Sequence, residues 1–370
     1  MKIFIIIAAA VIVIVLQLVL QKRQAGKLEA DVYPDVDAAE PGEKFHIILK
    51  IQNRSKVVYP FIRFGIMIPK EMTVYTSLRC ASRPPASVEV TGTAFLWPGK
   101  TLEKRIEVSA PSRGNYRFGN FYVSAGDFLG LKEYKREFVK YSSVAVYPLP
   151  LADAQFEETL GSTMGDFSVR RYIFEDPVLI SGFREYTGRE PMKTISWLQS
   201  ARSGQLMVKK YDFTSEVAIS VVLDSDCNTD ENFDMLERVF SLARSVCDAL
   251  EEKGIEYDFF MNSNIGGANC RQHYFAKGMG SRHEKGILRQ LAMATDSCDY
   301  TGSELAAKVS ESHDRTPGII FISSERSKER DELIAKFMEN PSVTVNALYA
   351  EDYAGSVDSG ETASREKEAV

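Results

Sequence analysis

Apolar and polar side chains alternate along the first half of the chain. Between about residues 32 and 147 the apolar runs are rich in β-branched and aromatic residues, and in residues 45–51 every second side chain is Phe, Ile or Leu. Alternation with period two predicts strands, and the Pro, Gly and Asn residues between the runs predict turns. Short strands without intervening helices predict a small antiparallel β-sandwich-like domain over residues 28–150.

The pattern changes after residue 215. Residues 217–223 are almost all apolar, which is typical of a strand buried on both faces of a parallel sheet. An amphipathic helix is predicted over residues 231–253, with Gly254 as its end. Further strands are predicted at 255–261, 318–322 and 343–349, and further helices at 284–295, 303–313 and 325–339. This alternation predicts a doubly wound α/β domain over residues 215–350.

One long apolar run precedes both halves. Residues 3–20 contain Gln17 as their only polar side chain, and as a helix they would span about 27 Å, close to the thickness of a bilayer core. Lys22, Arg23 and Lys27 follow the run, so the positive-inside rule places the larger part of the chain in the cytoplasm. We therefore predict a transmembrane helix with a basic flank over residues 1–27 and a single-pass membrane protein.

Two boundaries complete the predicted organisation. Pro148 and Pro150 end the β-rich region, because proline cannot continue a central strand. Residues 151–214 then form a linker and a signature segment. The last twenty residues, 351–370, hold six acids and two bases and are predicted to be a disordered acidic tail.

Composition narrows the function. The chain has 370 residues and a net charge of −6, of which −4 lies in the tail, so the body lacks the excess of cations typical of nucleic-acid binding. A single apolar run excludes a polytopic transporter. The five cysteines are odd in number and include no C-x-x-C pair, which indicates buried thiols in a reducing compartment and no disulfide framework.

A cluster of oxygen donors follows the first strand of the second half. Asp224, Asp226 and Asn228 occupy alternate positions of one loop, where an extended backbone turns them to the same side. Ligands gather at the carboxyl ends of strands in open α/β sheets, and such donors suit Mg²⁺ or Ca²⁺. The loop differs from a calcium-binding EF-hand at Thr229 and Met235. The alternative is that these acids cap the helix that begins near residue 231.

Catalytic motifs are missing from the sequence. Residues 161–165 have Thr at the centre of a nucleophile-elbow spacing, and residues 114–119 do not continue into a P-loop. Cys270 and His273 have no second pair to complete a zinc site. We predict a protein that is not an enzyme and has no evident small-molecule substrate.

A basic and aromatic segment lies between the two halves. Within 27 residues it places six cations beside Tyr186 and Trp197. The cations are Arg184, Arg189, Lys193, Arg202, Lys209 and Lys210. They predict either an acid-binding surface or a cation–π seam that docks onto the α/β domain.

The order of short motifs in this segment resembles a known family. The motifs are Arg184-Glu185-Tyr186, Gly188, Trp197, Ser200-Ala201-Arg202, Glu216 and Asp224. They are similar to the signature of the domain-of-unknown-function family 58, whose members resemble von Willebrand factor A domains. Upstream, Arg113-Gly114-Asn115-Tyr116 and Asp127-Phe128-Leu129-Gly130-Leu131 resemble segments that precede this signature. The likeness covers about residues 30–350.

The resemblance implies a fold and a function. It implies an α+β multidomain protein, with a membrane anchor, a β-sandwich-like domain and a von Willebrand A-like (Rossmann-type) α/β domain. It also implies a non-enzymatic interaction module that assists a MoxR-type AAA+ ATPase in assembly or chaperone-like work. The signature residues Arg184, Glu185, Tyr186, Gly188, Trp197, Ser200, Arg202 and Glu216 would then be structural or bind the partner.

Such domains hold a metal ion with a D-x-S-x-S loop and with residues from two further loops. Here Asp226 and Asn228 replace the two serines, and Ser323 begins the loop where an Asp is expected. The resemblance therefore implies a degenerate metal-ion-dependent adhesion site formed by Asp224, Asp226, Asn228 and Ser323. The alternative function is an exported adhesion protein that binds a carboxylate ligand through Mg²⁺ on Asp224, Asp226 and Asn228.

Overall fold

The computed structural model describes most of the chain between residues 27 and 353. The described residues are 27–84, 86–126, 133–151, 156–162, 180–211, 218–226, 233–266, 272–312, 318–339 and 343–353. They divide into two compact units, of which the first contains the residues up to Leu149 and the second nearly all of the rest.

Two sheets build the first unit. The strands are β1 (Leu28–Pro34), β2 (Ala38–Ala39), β3 (Lys44–Asn53), β4 (Tyr59–Pro69), β5 (Thr73–Tyr75), β6 (Arg79–Arg83), β7 (Ser87–Leu96), β8 (Thr101–Ser109), β9 (Gly114–Gly126) and β10 (Glu133–Val146). One sheet has the order β1-β3-β8-β5, and the other has the order β2-β10-β9-β4-β7-β6. All neighbours are antiparallel except the short pair β2 and β10.

The core of this unit lies between the two sheets. The alternate residues Phe45, Ile47, Leu49 and Ile51 of β3 are buried in one cluster with Phe64 and others from the six-stranded sheet. Each strand thus contributes one apolar face, which is the arrangement that the alternation predicts. The predicted β-sandwich architecture is confirmed for this part of the chain.

In the second unit, a helical stretch over residues 156–162 precedes a hairpin. The hairpin consists of β11 (Ile180–Glu185) and β12 (Met207–Tyr211), which pair antiparallel, and helix α1 (Trp197–Ser203) lies between them in sequence. Helix α1 ends at Gly204, whose φ of 72° is the left-handed conformation that glycine adopts readily.

A five-stranded sheet forms the centre of the second unit. The remaining elements are β13 (Ala218–Leu223), α2 (Phe233–Glu252), β14 (Glu256–Met261), β15 (Ser263–Ile265), β16 (Tyr274–Gly278), α3 (Ser281–Met293), β17 (Ala294–Cys298), α4 (Gly302–Ser312), β18 (Gly318–Ser323), α5 (Lys328–Met338) and β19 (Thr344–Tyr349). The sheet has the order β16-β14-β13-β18-β19, and β15 and β17 form a separate pair. Strands β14, β13, β18 and β19 are parallel, whereas β16 is antiparallel to β14.

The predicted fold class requires correction. The described residues form nineteen strands. The five-stranded sheet of the second unit contains both parallel and antiparallel neighbours, so it is mixed. Strand β16 is antiparallel to β14, and the described residues between them contain β15 but not the helix that usually joins parallel strands. The assignment of residues 215–350 as a von Willebrand A-like, Rossmann-type domain is therefore withdrawn.

The membrane assignment is corrected as well. The predicted transmembrane helix at residues 3–20 lies outside the described residues. Among the helices that the structure does describe, none combines the length and the apolar character needed to cross a bilayer. The description as a single-pass membrane protein with cytoplasmic domains is not carried further.

The predicted acidic tail begins inside an ordered element. Residues Ala350–Tyr353 form a 3₁₀ helix, and the ring of Tyr353 packs edge-on against Phe156, with 5.6 Å between centroids. From residue 354 onward the tail lies outside the described residues.

Candidate functional site

The first site residue is held at the carboxyl end of a central strand. Asp224 follows β13, and its backbone N–H donates to Ile322 O in β18 at 2.9 Å. Its side chain is buried, with Oδ2 3.2 Å from Arg330 Nε and Oδ1 accepting from Asn262 Nδ2 at 2.6 Å. The negative charge of Asp224 is therefore compensated from within the chain.

Arg330 reaches this position from the first turn of α5. Ser327 caps that helix and accepts a hydrogen bond from Arg330 N at 3.3 Å. The guanidinium also donates to Glu325 O at 2.8 Å and to the backbone oxygen of Asp226. These contacts fix the cation among several acceptors, as the planar fork of arginine favours.

Buried hydroxyl and amide groups complete the cluster. Asn262 Oδ1 accepts from Ser225 N at 2.8 Å and from Ser225 Oγ at 3.0 Å. Ser263 Oγ donates to Ser225 Oγ at 2.6 Å. All three side chains are buried, so the loop after β13 is tied to the loop after β14 by satisfied polar contacts.

The structure describes three of the four predicted metal ligands, and Asp226 N donates to Asp224 Oδ1 at 3.3 Å. Asp226 is exposed, and Ser323 is buried with no hydrogen-bond partner for its Oγ among the described residues. Asn228 lies outside the described residues. Where the chain is described, no cluster of three or more His, Cys, Asp or Glu side chains could hold a metal ion.

This arrangement does not fit a bound Mg²⁺ or Ca²⁺ ion. A hard divalent cation needs several oxygen ligands, and the buried carboxylate of Asp224 already faces a guanidinium. The ion would have to compete with Arg330, which is itself buried. We derive no chemistry from a metal ion at this position.

The signature segment forms a separate surface. Glu190 accepts from Arg184 Nη1 at 2.5 Å and from Thr187 Oγ1 at 2.8 Å. The hydrogen bonds from Thr187 and from Arg184 lower the pKa of Glu190 to about 2. This carboxylate holds the turn after β11, where Gly188 has a φ of 87°.

Helix α1 is joined to the hairpin through one hydroxyl. Ser200 Oγ accepts from Met207 N at 2.8 Å and donates to Ser196 O at 2.8 Å. Tyr186 N donates to Leu206 O at 2.8 Å, which extends the strand pairing at this same end of the hairpin. Ser200 and Tyr186 thus have structural contacts, whereas Glu185, Trp197 and Arg202 are exposed. Glu216 and the upstream segment 127–131 lie outside the described residues.

The sequence did not identify four members of the buried cluster, namely Ser225, Asn262, Ser263 and Arg330. Asn262 follows β14 just as Asp224 follows β13, and polar residues at neighbouring strand ends are a signal that could have identified it. No sequence pattern pointed to Arg330. It lies 106 positions from Asp224, and a basic residue in the first turn of a helix is not distinctive.

The chain has only distant similarity to known proteins. No family model matches the chain. An uncharacterized protein, YeaD, of Bacillus subtilis is 22% identical over 211 residues, which are 55% of this chain and 48% of that protein. The chain thus spans about half the length of this curated relative.

Two of the similar solved structures each match about a third of the chain. A cohesin module from a Clostridium perfringens family 33 glycoside hydrolase is 13% identical with a TM-score of 0.25, covering 32% of this chain and 96% of that chain. The PapD-like domain of human CEP192 is 15% identical with a TM-score of 0.22, covering 32% and 84%.

Proposed function

We propose that this chain is a non-enzymatic protein-interaction module that binds its partner through residues 180–211, here called the docking segment. The supporting observation is the exposure of large apolar side chains on an ordered hairpin and helix. These are Ile180, Phe183, Met192, Trp197, Leu198 and Leu206. Trp197 and Leu198 are the first two residues of helix α1, and their side chains are 63% and 69% exposed.

Such a surface has the features of a binding site. Exposed apolar side chains gain free energy when a partner covers them, and Trp and Arg dominate the binding energy of many interfaces. The docking segment is also held in shape by Glu190, Ser200 and the strand pairing. A surface that is ordered before binding loses less conformational entropy when the complex forms.

The charge of the docking segment indicates the kind of partner. It contains six cations and two acids, so it should attract an acidic surface that also offers an apolar pocket. The resemblance to the domain-of-unknown-function family 58 suggests a MoxR-type AAA+ ATPase as this partner. Under this proposal the chain assists that ATPase in assembly or chaperone-like work.

The experiment measures binding of a purified MoxR-type ATPase from the same organism to the immobilised full chain. We expect Trp197→Ala to weaken binding by at least about tenfold, as for a central interface tryptophan. Arg202→Glu should slow association, more so at low salt. The matched control is Trp97→Ala, which removes an equally exposed tryptophan from the first unit. Absence of binding, or equal effects of the two tryptophan substitutions, would contradict the proposal.

The metal-dependent adhesion function receives less support. It requires Asp224 to hold a divalent ion, whereas Asp224 pairs with Arg330. We therefore do not propose it as a second function.

A further inference from the structure

The first unit contains a cleft that the proposed function does not use. It has a volume of about 610 Å³ and lies on the outer face of the six-stranded sheet. Strands β4, β7 and β9 form its floor, and β10 and the turn between β6 and β7 form its walls. Its volume is typical of sites that bind small ligands.

A tyrosine lies across the floor of the cleft. Gly65 makes room for it, since a Cβ on Gly65 would come within 2.4 Å of Tyr122 Cε1. Tyr122 Oη donates to Glu89 Oε1 at 2.9 Å, and Arg83 Nε donates to Glu89 Oε2 at 2.7 Å. Burial raises the pKa of Glu89, but the bonds from Arg83 and Tyr122 outweigh it and leave the pKa below its usual value. Glu89 is thus a buried, fixed acceptor in the floor.

Two residues after Tyr122 on β9, the buried hydroxyl of Ser124 lies between two cations. The strand register places Ser124 beside Arg63 on one side and Lys135 on the other. Ser124 is only 3% exposed, and its Oγ has no hydrogen-bond partner among the described residues. Arg63 and Lys135 are paired with Glu133 at 3.5 Å and with Glu137 at 2.6 Å. A buried hydroxyl without a partner costs free energy, so Ser124 would gain a hydrogen bond from a ligand that displaced the side chains burying it.

Exposed aromatic rings continue the same face. Phe61 lies two residues before Arg63 on β4, and alternate residues of a strand share a face. Phe61 is 55% exposed, Phe95 is 45% exposed and Trp97 is 59% exposed. The rings of Phe95 and Trp97 meet edge-on, with 5.2 Å between centroids. The face therefore has an aromatic end and a polar end.

We propose that this cleft binds an uncharged oligosaccharide. Sugar hydroxyls both donate and accept hydrogen bonds, and the cleft offers paired donors and acceptors in fixed positions. Arg63, Arg83 and Lys135 balance Glu89, Glu133 and Glu137, so the lining carries no net charge. Phe61, Phe95 and Trp97 do not line the cleft, so a sugar ring that extends beyond it would pack its carbon-bound face on them. A hydroxyl of the ring inside the cleft would bond to Ser124 Oγ after displacing the side chains that bury it.

The same balance of charge disfavours charged ligands. A nucleic acid would stack on the rings, but its phosphates need an excess of cations that the cleft lacks. A small anion bound by Arg63 and Lys135 would leave Glu133 and Glu137 without their partners. A neutral ligand requires neither change.

The test uses Trp97 as a reporter in the full chain. The protein has two tryptophans, so Trp197→Phe leaves Trp97 as the only one. Its fluorescence is titrated with cellohexaose, laminarihexaose and chitohexaose, each uncharged, and in parallel with a heparin-derived hexasaccharide and an uncharged Ser/Thr/Gln octapeptide. We expect a saturable change with at least one uncharged oligosaccharide and none with the anionic sugar or the peptide.

Variants then locate the site. Ser124→Ala should weaken binding by about three- to tenfold, the effect of one hydrogen bond, and Phe61→Ala should weaken it at least as much. Tyr33→Ala, on the four-stranded sheet, is the matched control and should leave the affinity unchanged. Far-ultraviolet circular dichroism verifies that each variant is folded. The proposal is overturned if no uncharged oligosaccharide binds, if the heparin fragment or the peptide binds instead, or if Ser124→Ala and Tyr33→Ala behave alike.

Discussion

At the carboxyl end of β13, one guanidinium compensates the charge of one buried carboxylate. Arg330 and Asp224 are both almost fully removed from water, and each is also bonded to other groups of the cluster. Such a pair contributes little net stability compared with apolar residues, because both charges lose their hydration. Removing only one partner is a different case, since the other charge then remains buried without compensation.

We therefore expect Arg330→Gln to lower the free energy of unfolding by about 3–5 kcal/mol. Urea denaturation followed by circular dichroism measures this change. The double variant with Asp224→Asn removes the stranded charge as well and should recover part of the loss. A loss below about 1 kcal/mol in the single variant would mean that Asp224 finds another partner or water.

The carboxyl group of Glu284 has a pKa raised by its surroundings. Glu284, in the first turn of α3, has a raised pKa, mainly because of burial and then because of the nearby acids Asp248 and Glu251. A carboxyl group with a raised folded-state pKa favours folding below its unfolded pKa, and this contribution is lost as the pH rises through the folded value. At neutral pH its charge therefore opposes folding.

The expected consequence is a pH-dependent effect of Glu284→Gln. The variant should have a higher Tm than the wild type at about pH 7 and nearly the same Tm at about pH 4, where the carboxyl is protonated. Scanning calorimetry at both values measures it, with exposed Glu311→Gln as the control. An equal shift at both pH values would show that packing, and not charge, causes the change.

At the scale of elements, alternation predicted the sandwich strands because each has one buried face. Strands β3 and β4 follow this pattern along most of their length. Strand β6 could not be predicted in this way, since all five of its residues are exposed. The direction of β16 and the end of α3 at Met293, followed at once by β17, depend on pairing with distant segments.

The candidate site shows the same limit. Its position at the end of β13 follows from strand order, and Asp224 was predicted correctly as a residue of that edge. Its chemistry depends on Arg330 and Asn262, which approach only after the sheet forms. Local spacing therefore predicted a metal site, whereas the contacts are those of an internal ion pair.

The six-stranded sheet requires a residue without a side chain at position 65, where the ring of Tyr122 packs against the backbone. A methyl group there would overlap the ring of Tyr122, so Gly65→Ala should destabilise the chain by about 1–3 kcal/mol through overpacking. Gly182→Ala is the control, because a Cβ at that strand position meets nothing within 4 Å. In a double-mutant cycle with Tyr122→Ser, the cost of Gly65→Ala should largely disappear. An undiminished cost would place the strain elsewhere in the sheet.

At the scale of the whole molecule, each unit has its own buried cluster. The apolar core of the first unit draws only on residues 28–146, and a cluster around Phe321 and Leu333 belongs to the second. A unit with a complete core can unfold by itself. The chain also carries one tryptophan in each unit, Trp97 in the first and Trp197 in the second.

These two tryptophans allow the units to be followed separately. In the Trp197→Phe background, fluorescence reports unfolding of the first unit, and in the Trp97→Phe background it reports unfolding of the second. Gly65→Ala should shift only the Trp97 transition in urea, and Arg330→Gln should shift only the Trp197 transition, because each substitution changes contacts within one unit. If both reporters instead moved together for both substitutions, the chain would unfold as one cooperative body, and the stability of each core would depend on the other.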